Sequence, residues 1–449
     1  MAFSPANNDG SGEAPAIGQT GTGSPSGHVD VPELRLFVFA LFFVFGGITS
    51  LNDVIIPKLK ELFTLNYFQA MLVQSAFFAA YLIVSIPGAA LVKRIGYMRG
   101  AAVGLVTMMA GCLLFIPASQ SARFGVFLLA LFVLASGITI VQVVANPLIS
   151  LLGPPRTAPS RLTFAQGFNS LGTTIFPYVG SVLILGSLAA VSVHDLSGPA
   201  LEAYRVQETR VVVHAYLGLA VILALVALMV WFHRNRLPNE THGSGSILRS
   251  VDLLKRPRFG FGAASIFLYV GAEVAIGSLI VSYLMQADVL GLAEQSAGKL
   301  IPLYWGGALV GRFIGSAVLR VIEPGKVLAS VACGAIGLLA LSALSHGAVS
   351  GYALLAVGLM NAIMFPTIFS LASEGLGERA ADGSGLICVA IVGGAVIPPL
   401  TGTLADLSGS LSVALALPAL CYGVILLYGG WCVRHRRGQA RRAAASTFV

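Results

Sequence analysis

Apolar stretches of about 20 residues return along this chain at short intervals, and each is long enough to cross a hydrocarbon layer about 30 Å thick. They fall near 36–57, 68–92, 100–118, 124–152, 160–188 and 211–233, then near 260–286, 296–320, 325–344, 349–373, 383–405 and 411–433. No water is present inside a bilayer to satisfy backbone N–H and C=O groups, so segments of this length must bond internally, as helices. Hydrophobic residues make up 56% of the 449 positions and Asp, Glu, Lys and Arg together 10%, against about 25% charged residues in soluble domains. The expected fold is all-α and integral to a membrane, with 12 transmembrane helices.

The spans divide six and six around a polar segment that carries Arg234, Arg236, Arg249, Lys255, Arg256 and Arg258. The expected organisation is a disordered cytoplasmic tail over 1–32, a six-helix bundle over 33–233, a cytoplasmic linker over 234–259, a second six-helix bundle over 260–433 and a basic tail over 434–449. Residues 1–30 are rich in Gly, Ser and Pro and lack a basic start and an apolar run, so they do not read as a signal peptide. The formal net charge of +8 is spread over connecting loops and forms no stripe, which argues for topology over nucleic-acid binding. Lys93, Arg94, Arg99, Arg156, Arg161, Arg320 and Lys326 all fall on the linker's side, and the opposite loops dilute their bases with acids. By the positive-inside rule both termini face the cytoplasm, and the expected location is a bacterial inner membrane.

The halves echo one another, as duplicated transporter halves do. Asn146-Pro147 in the fourth span is matched by Phe365-Pro366 in the tenth, and Gly172 stands five residues before Pro177 as Gly393 stands five before Pro398. Kinked or locally unwound helices around a central cavity are expected in each bundle.

Polar side chains inside these spans are the functional candidates. A charge at the bilayer centre costs about 2.5–3.5 kcal/mol on insertion scales, so it faces a cavity or a partner. Asp53 lies late in the first span and Glu273 near the middle of the seventh. Asp53 also reads as an interfacial acid at a helix end, and Glu273 as the structural partner of Arg312. Gln142 and Asn146 share one face of the fourth helix, and Gln166 and Asn169 one face of the fifth. Each amide offers a donor and an acceptor, which suits sugar hydroxyls in a mainly apolar pocket, although interhelical packing uses the same groups. Asn52 and Asn361 complete the candidate substrate-binding set, and Asp53 and Glu273 the cation-coupling set. Phe45, Tyr178, Tyr269, Tyr304, Trp305 and Phe365 are positioned either to stack on a sugar ring or simply to pack.

Covalent chemistry finds no support. The five cysteines and seven histidines lack metal-ligand spacing. No phosphate-cradling loop ending in Lys-Ser/Thr is present, which argues against direct ATP drive and leaves an ion gradient or the substrate's own gradient as the energy source. A non-enzyme without cofactors is expected.

Ser50-Leu51-Asn52-Asp53, Gln74-Ser75-Ala76-Phe77-Phe78, Val144-Ala145-Asn146-Pro147, Ala165-Gln166-Gly167-Phe168-Asn169-Ser170 and Phe365-Pro366-Thr367-Ile368-Phe369-Ser370-Leu371 resemble the fucose/glucose/galactose:cation symporters of the major facilitator superfamily. The likeness covers roughly residues 33–430. The loop Lys93-Arg94-Ile95-Gly96-Tyr97-Met98-Arg99 departs from the superfamily's signature, with Lys93 where an acid is usual. The resemblance implies that Asp53 is a coupling carboxylate that also touches sugar, and that Gln166 and Asn169 are sugar ligands. Fucose permeases of the family carry glutamate where this chain has Gln142 and glutamine where it has Glu273. The stretch from Tyr269 to Ser278 looks more like the glucose/galactose branch, in which sodium dependence occurs. The second membrane carboxylate would then have moved from the first bundle to the second, with two acids kept.

The expected function is import of a hexose of the glucose, galactose or fucose class by symport with Na⁺ or H⁺, through alternating access in a monomer surrounded by lipid. Sodium is slightly favoured, held near Asp53 or Glu273. Proton-coupled efflux of a drug or metabolite, and a non-transporting membrane sensor or scaffold, are the alternatives.

Overall fold

The structure, a computed structural model, describes residues 32–63, 67–121, 123–180, 198–234 and 250–446. The first half contains α1 (Pro32–Leu62), α2 (Tyr67–Ile95), α3 (Tyr97–Leu113), α4 (Phe115–Ser121), α5 (Phe124–Leu151), α6 (Ala158–Gly180) and α7 (Pro199–Phe232). The second contains α8 (Pro257–Met285), α9 (Glu294–Gly298), α10 (Ile301–Val321), α11 (Pro324–Leu344), α12 (Gly347–Asn361), α13 (Met364–Ser373), α14 (Ala380–Ala390), α15 (Gly393–Ser408), α16 (Leu411–Ala414) and α17 (Ala416–Ser446). Pairing α3 with α4, α12 with α13, α14 with α15 and α16 with α17 gives the expected passes. The last helix continues to Ser446, through a segment read from sequence as a tail, because Ala, Arg and Gln are strong helix formers.

Prolines place three of the breaks. A helical proline has no N–H to give to the carbonyl four residues earlier. α3 ends at Leu113 ahead of Pro117, α12 at Asn361 ahead of Pro366, and α16 at Ala414 ahead of Pro418. The eleventh pass breaks at Ile391 and Val392, just before Gly393-Gly394. Unwinding was expected in both bundles, but among the described residues the fourth pass runs through Pro147 without interruption. Its tenth-pass counterpart is the one that opens.

Both halves repeat one packing plan. α1 lies on α6, α2 on α5, and α3 on α5 and α7; correspondingly α8 lies on α15, α10 on α12, and α11 on α12 and α17. Gly172 and Gly393 hold equivalent places in this plan. A Cβ at Gly172 would run into the carbonyl oxygen of Phe43, and one at Gly393 into that of Phe267, so only glycine lets the fifth pass approach the first, and the eleventh the seventh, this closely. A second equivalence lies at the linker end. Arg35 Nε donates to Leu152 O at 3.1 Å and Arg258 Nε to Leu371 O at 2.8 Å, each tying the start of one pass to the end of the third pass after it.

The bundles meet through α6 against α10 and α13, and α14 against α2 and α5. Ten passes among the described residues are long and apolar enough to cross a membrane. The two that fall short, α6 and α10, are the ones that face each other across this interface. Ser160 of the one and Arg312, Ser316 and Arg320 of the other bond across this interface.

Candidate functional site

Glu273 sits about halfway along α8, one helical turn after Tyr269. The Tyr269 hydroxyl lies 2.8 Å from Glu273 Oε1 and 3.1 Å from the backbone oxygen of Asn361, so its proton is shared between them. Tyr304 of α10 donates to the backbone oxygen of Glu273 at 3.2 Å. Asn361 is wholly buried; its Nδ2 donates to the Tyr304 hydroxyl at 2.8 Å and its Oδ1 accepts from Tyr422 of α17 at 2.7 Å. Four helices thus converge on one carboxylate through three tyrosines and an amide. Such a network is rigid when its members are satisfied. Asn361, expected to contact substrate, here holds Tyr304 and Tyr422 in place.

The break after α12 extends the cluster towards the first bundle. Pro366 leaves the carbonyl of Ala362 without its usual helical donor, and Arg312 Nε reaches that oxygen at 3.4 Å. The same guanidinium donates to Gln166 O at 3.0 Å and to Ser170 Oγ, both on α6. Neighbouring carbonyls, Asn361 and Ala362, therefore receive Tyr269 from the Glu273 side and Arg312 from the α6 side. A buried arginine has five donors in a fixed fork, and this one spans the bundle interface. The sequence reading that pairs Arg312 directly with Glu273 is not what the side chains do: among the described residues no ion pair joins them, and Tyr269 holds the carboxylate.

Amides of the first bundle take separate positions. Gln142 Nε2 donates to the Tyr81 hydroxyl at 2.8 Å. Asn169 Nδ2 donates to Phe42 O at 3.3 Å and packs directly on Gly46 of α1. Gln166 is buried. Asn146, one turn from Gln142, is 1% exposed, and both of its amide atoms lack a partner among the described residues. An unpaired buried amide costs about 1–3 kcal/mol, which packing alone gives no reason to keep. Asn52 and Asp53 lie on the backbone of α1, but their side chains fall outside the described residues. Of the aromatic candidates, Tyr269 and Tyr304 are in the Glu273 cluster, Phe45 is buried against Phe42, and Tyr178 and Trp305 are exposed.

A second group ties the bundles at the linker end. Lys93 Nζ lies 2.9 Å from Asp382 Oδ2, and Arg379 Nε lies 3.6 Å from the same oxygen. Arg379 also binds Asp252, and that hydrogen bond holds the Asp252 carboxyl below the usual carboxylate range. Ser160 of α6 and Ser316 of α10 exchange hydrogen bonds, Ser160 Oγ to Ser316 O at 2.7 Å and Ser316 Oγ to Ser160 O at 3.0 Å. Sequence reasoning passes over Asp382, Ser170 and Tyr422. An acid at the start of the eleventh span is a usable signal for the first, whereas an isolated serine or tyrosine in an apolar helix gives none.

Residues 38–399, which span the repeated bundles, match a family model described as Major Facilitator Superfamily. The chain belongs to the major facilitator superfamily. A glucose/galactose transporter of Brucella abortus is 46% identical over 408 residues, covering 90% of this chain and 96% of that one. The L-fucose-proton symporter of Escherichia coli is 33% identical over 397 residues, covering 87% and 90%. Among solved structures, the superfamily transporter FucP in the outward conformation superimposes with a TM-score of 0.82 at 32% identity, covering 89% of this chain and 98% of that one. The resemblance read from the Asn146-Pro147, Gln166-to-Ser170 and Phe365-Pro366 segments is thereby upheld, and so is the membrane-embedded, all-helical transporter fold.

Proposed function

We propose that this protein is a secondary active transporter that imports a hexose of the glucose, galactose or fucose class together with a cation, by alternating access. The observation that carries the reading is the continuous path from Glu273 through Tyr269, the Asn361–Ala362 break and Arg312 to the helix bearing Gln166 and Asn169. A carboxylate in one bundle is coupled in this way to the sugar-ligand helix of the other. Likeness to a named glucose/galactose transporter along nearly the whole chain supports the substrate class.

In this reading Asp53, Asn52, Gln142, Asn146, Gln166 and Asn169 form the sugar-facing wall, with Asn361 and its tyrosines behind the opposite wall. Asp53 and Glu273 carry the coupling charge. We take the ion to be a proton. Glu273 Oε1 has one hydroxyl partner, which suits a carboxyl that gains and loses hydrogen, whereas a bound metal cation demands several oxygens. The relative named a proton symporter points the same way. Contacts between bundles gather at the linker end, as expected of a carrier closed towards the cytoplasm and open outward. The basic linker-side loops support a reading in which that end, and both termini, face the cytoplasm across a bacterial inner membrane.

Uptake of labelled glucose, galactose, fucose and N-acetylglucosamine into proteoliposomes, with proton and sodium gradients imposed separately, tests every part of this. Accumulation of one hexose driven by an inward proton gradient is the expected result. Accumulation driven by sodium alone would replace the ion, and no uptake of any of the four sugars under either gradient would remove the function.

A further inference from the structure

Where the two bundles close at the linker end they leave a cavity of about 420 Å³, lined by Arg156, Arg320 and Arg436, by Glu323, and by apolar residues that include Val321 and Ile322. Its size falls within the roughly 300–1,000 Å³ usual for ligand sites. The three arginines come from three places: the loop between α5 and α6, the end of α10, and the extension of α17. Their arrival at one concavity is a property of the assembled fold and not of any loop.

Charge is unbalanced there. Among the described residues none of these three guanidinium groups has a carboxylate within 4.0 Å, and the one acid in the lining, Glu323, is 3.5 Å from Lys326. Arg320 Nε makes a long hydrogen bond, 3.4 Å, to Ser160 Oγ, and its other donors remain available. Like charges held together without a counter-ion favour an anion, and planar guanidinium forks fit phosphate oxygens in pairs. The apolar side of the cavity is equally uncommon for a purely aqueous site, since Val321 is 84% exposed and Ile322 48%. Basic pockets between transmembrane helices with an apolar flank fit a lipid headgroup.

We propose that this cavity binds a phosphate group, carried by an anionic lipid, and that occupancy favours the arrangement in which the bundles are closed at the linker end. The second clause follows from geometry. Arg156 belongs to the first bundle and Arg320 and Arg436 to the second, so a phosphate held by all three crosses the interface that must part when the carrier turns over. The site is independent of which sugar or ion is carried.

The test is thermal unfolding of the full chain in detergent, with dioleoyl-phosphatidylglycerol, dioleoyl-phosphatidylcholine or inorganic phosphate added. The anionic lipid should raise the Tm by about 3 °C or more over the zwitterionic one, and the triple variant R156Q/R320Q/R436Q should lose at least half of that rise. An equal rise with millimolar inorganic phosphate, also lost in the triple variant, assigns the same phosphate site to a soluble anion. If the triple variant fails to fold, R156Q and R436Q are read singly, each at an exposed position, and each should diminish the rise. Wild-type-sized shifts in the variants, or no shift with either anion, overturn the proposal.

Discussion

Lys93 and Asp382, 289 residues apart in sequence, form a 2.9 Å ion pair that joins the end of α2 to the start of α14, one in each bundle. Lys93 stands where the superfamily signature usually has an acid. Asp382 brings an acid to that basic loop from the opposite bundle. Both side chains are largely buried, 17% and 7% exposed, which places the pair between a surface bridge worth less than about 1 kcal/mol and a buried one whose breaking costs about 3–5 kcal/mol.

Removing either partner should loosen the linker-side closure. D382N is expected to reduce hexose uptake more than K93Q, because Asp382 also faces Arg379 at 3.6 Å. A double-mutant cycle on unfolding midpoints should return a coupling of about 1–3 kcal/mol; additive losses would mean that the pair does not act as a unit. The neighbouring Asp252–Arg379 contact will not confuse the measurement. A carboxyl held below its ordinary range keeps its charge above about pH 4 and loses the contact only as pH falls further. Between about pH 5 and 8 it is constant.

Arg312 is expected to tolerate no replacement. Lysine keeps the charge but presents a single ammonium where a fork now reaches Gln166 O, Ser170 Oγ and Ala362 O. R312K and R312Q should each slow sugar exchange at least tenfold, equivalent to about 1.4 kcal/mol, with the protein still inserted and folded by size-exclusion profile. Wild-type exchange in R312K would show that only the charge matters.

Glu273 should separate coupling from binding. E273Q keeps the shape and the Tyr269 contact while removing the charge, so counterflow of labelled sugar should persist while gradient-driven accumulation falls to the equilibrium level. Asp53→Asn is expected to lose both, because Asp53 is assigned to sugar as well as to coupling. Equal behaviour of the two variants would contradict that division of roles.

Asn146 offers a test in the direction of stability. Replacing it with leucine removes two buried amide atoms that lack partners and should raise the unfolding free energy by about 1–3 kcal/mol. Uptake should fall in the same variant. A gain in stability with full transport would make Asn146 a packing residue only.

Part of the site is legible in the order of residues alone. The Gly172 and Gly393 equivalence emerges from spacing to a following proline, whereas its reason, close approach to Phe43 and Phe267 on other passes, is visible only in the packed bundles. Glu273 stands out because a charge in an apolar run needs a cavity or a partner. Arg312 stands out for the same reason, yet its hydrogen bonds go to Ala362, Gln166 and Ser170 and not to the acid that charge alone suggests. The nearest opposite charge is the natural choice from sequence, whereas the proline break at Ala362 creates a carbonyl acceptor that composition does not advertise.

By itself the sequence determined the solvent, the number of passes, their division into two like halves and the side on which bases collect, because each follows from transfer free energies summed along one helix at a time. Only the tertiary structure decided which polar groups meet: Tyr422 with Asn361, Arg312 with α6, Lys93 with Asp382. Such pairings depend on how helices far apart in the chain rotate and cross, and a helix carries no record of its partner in its own periodicity.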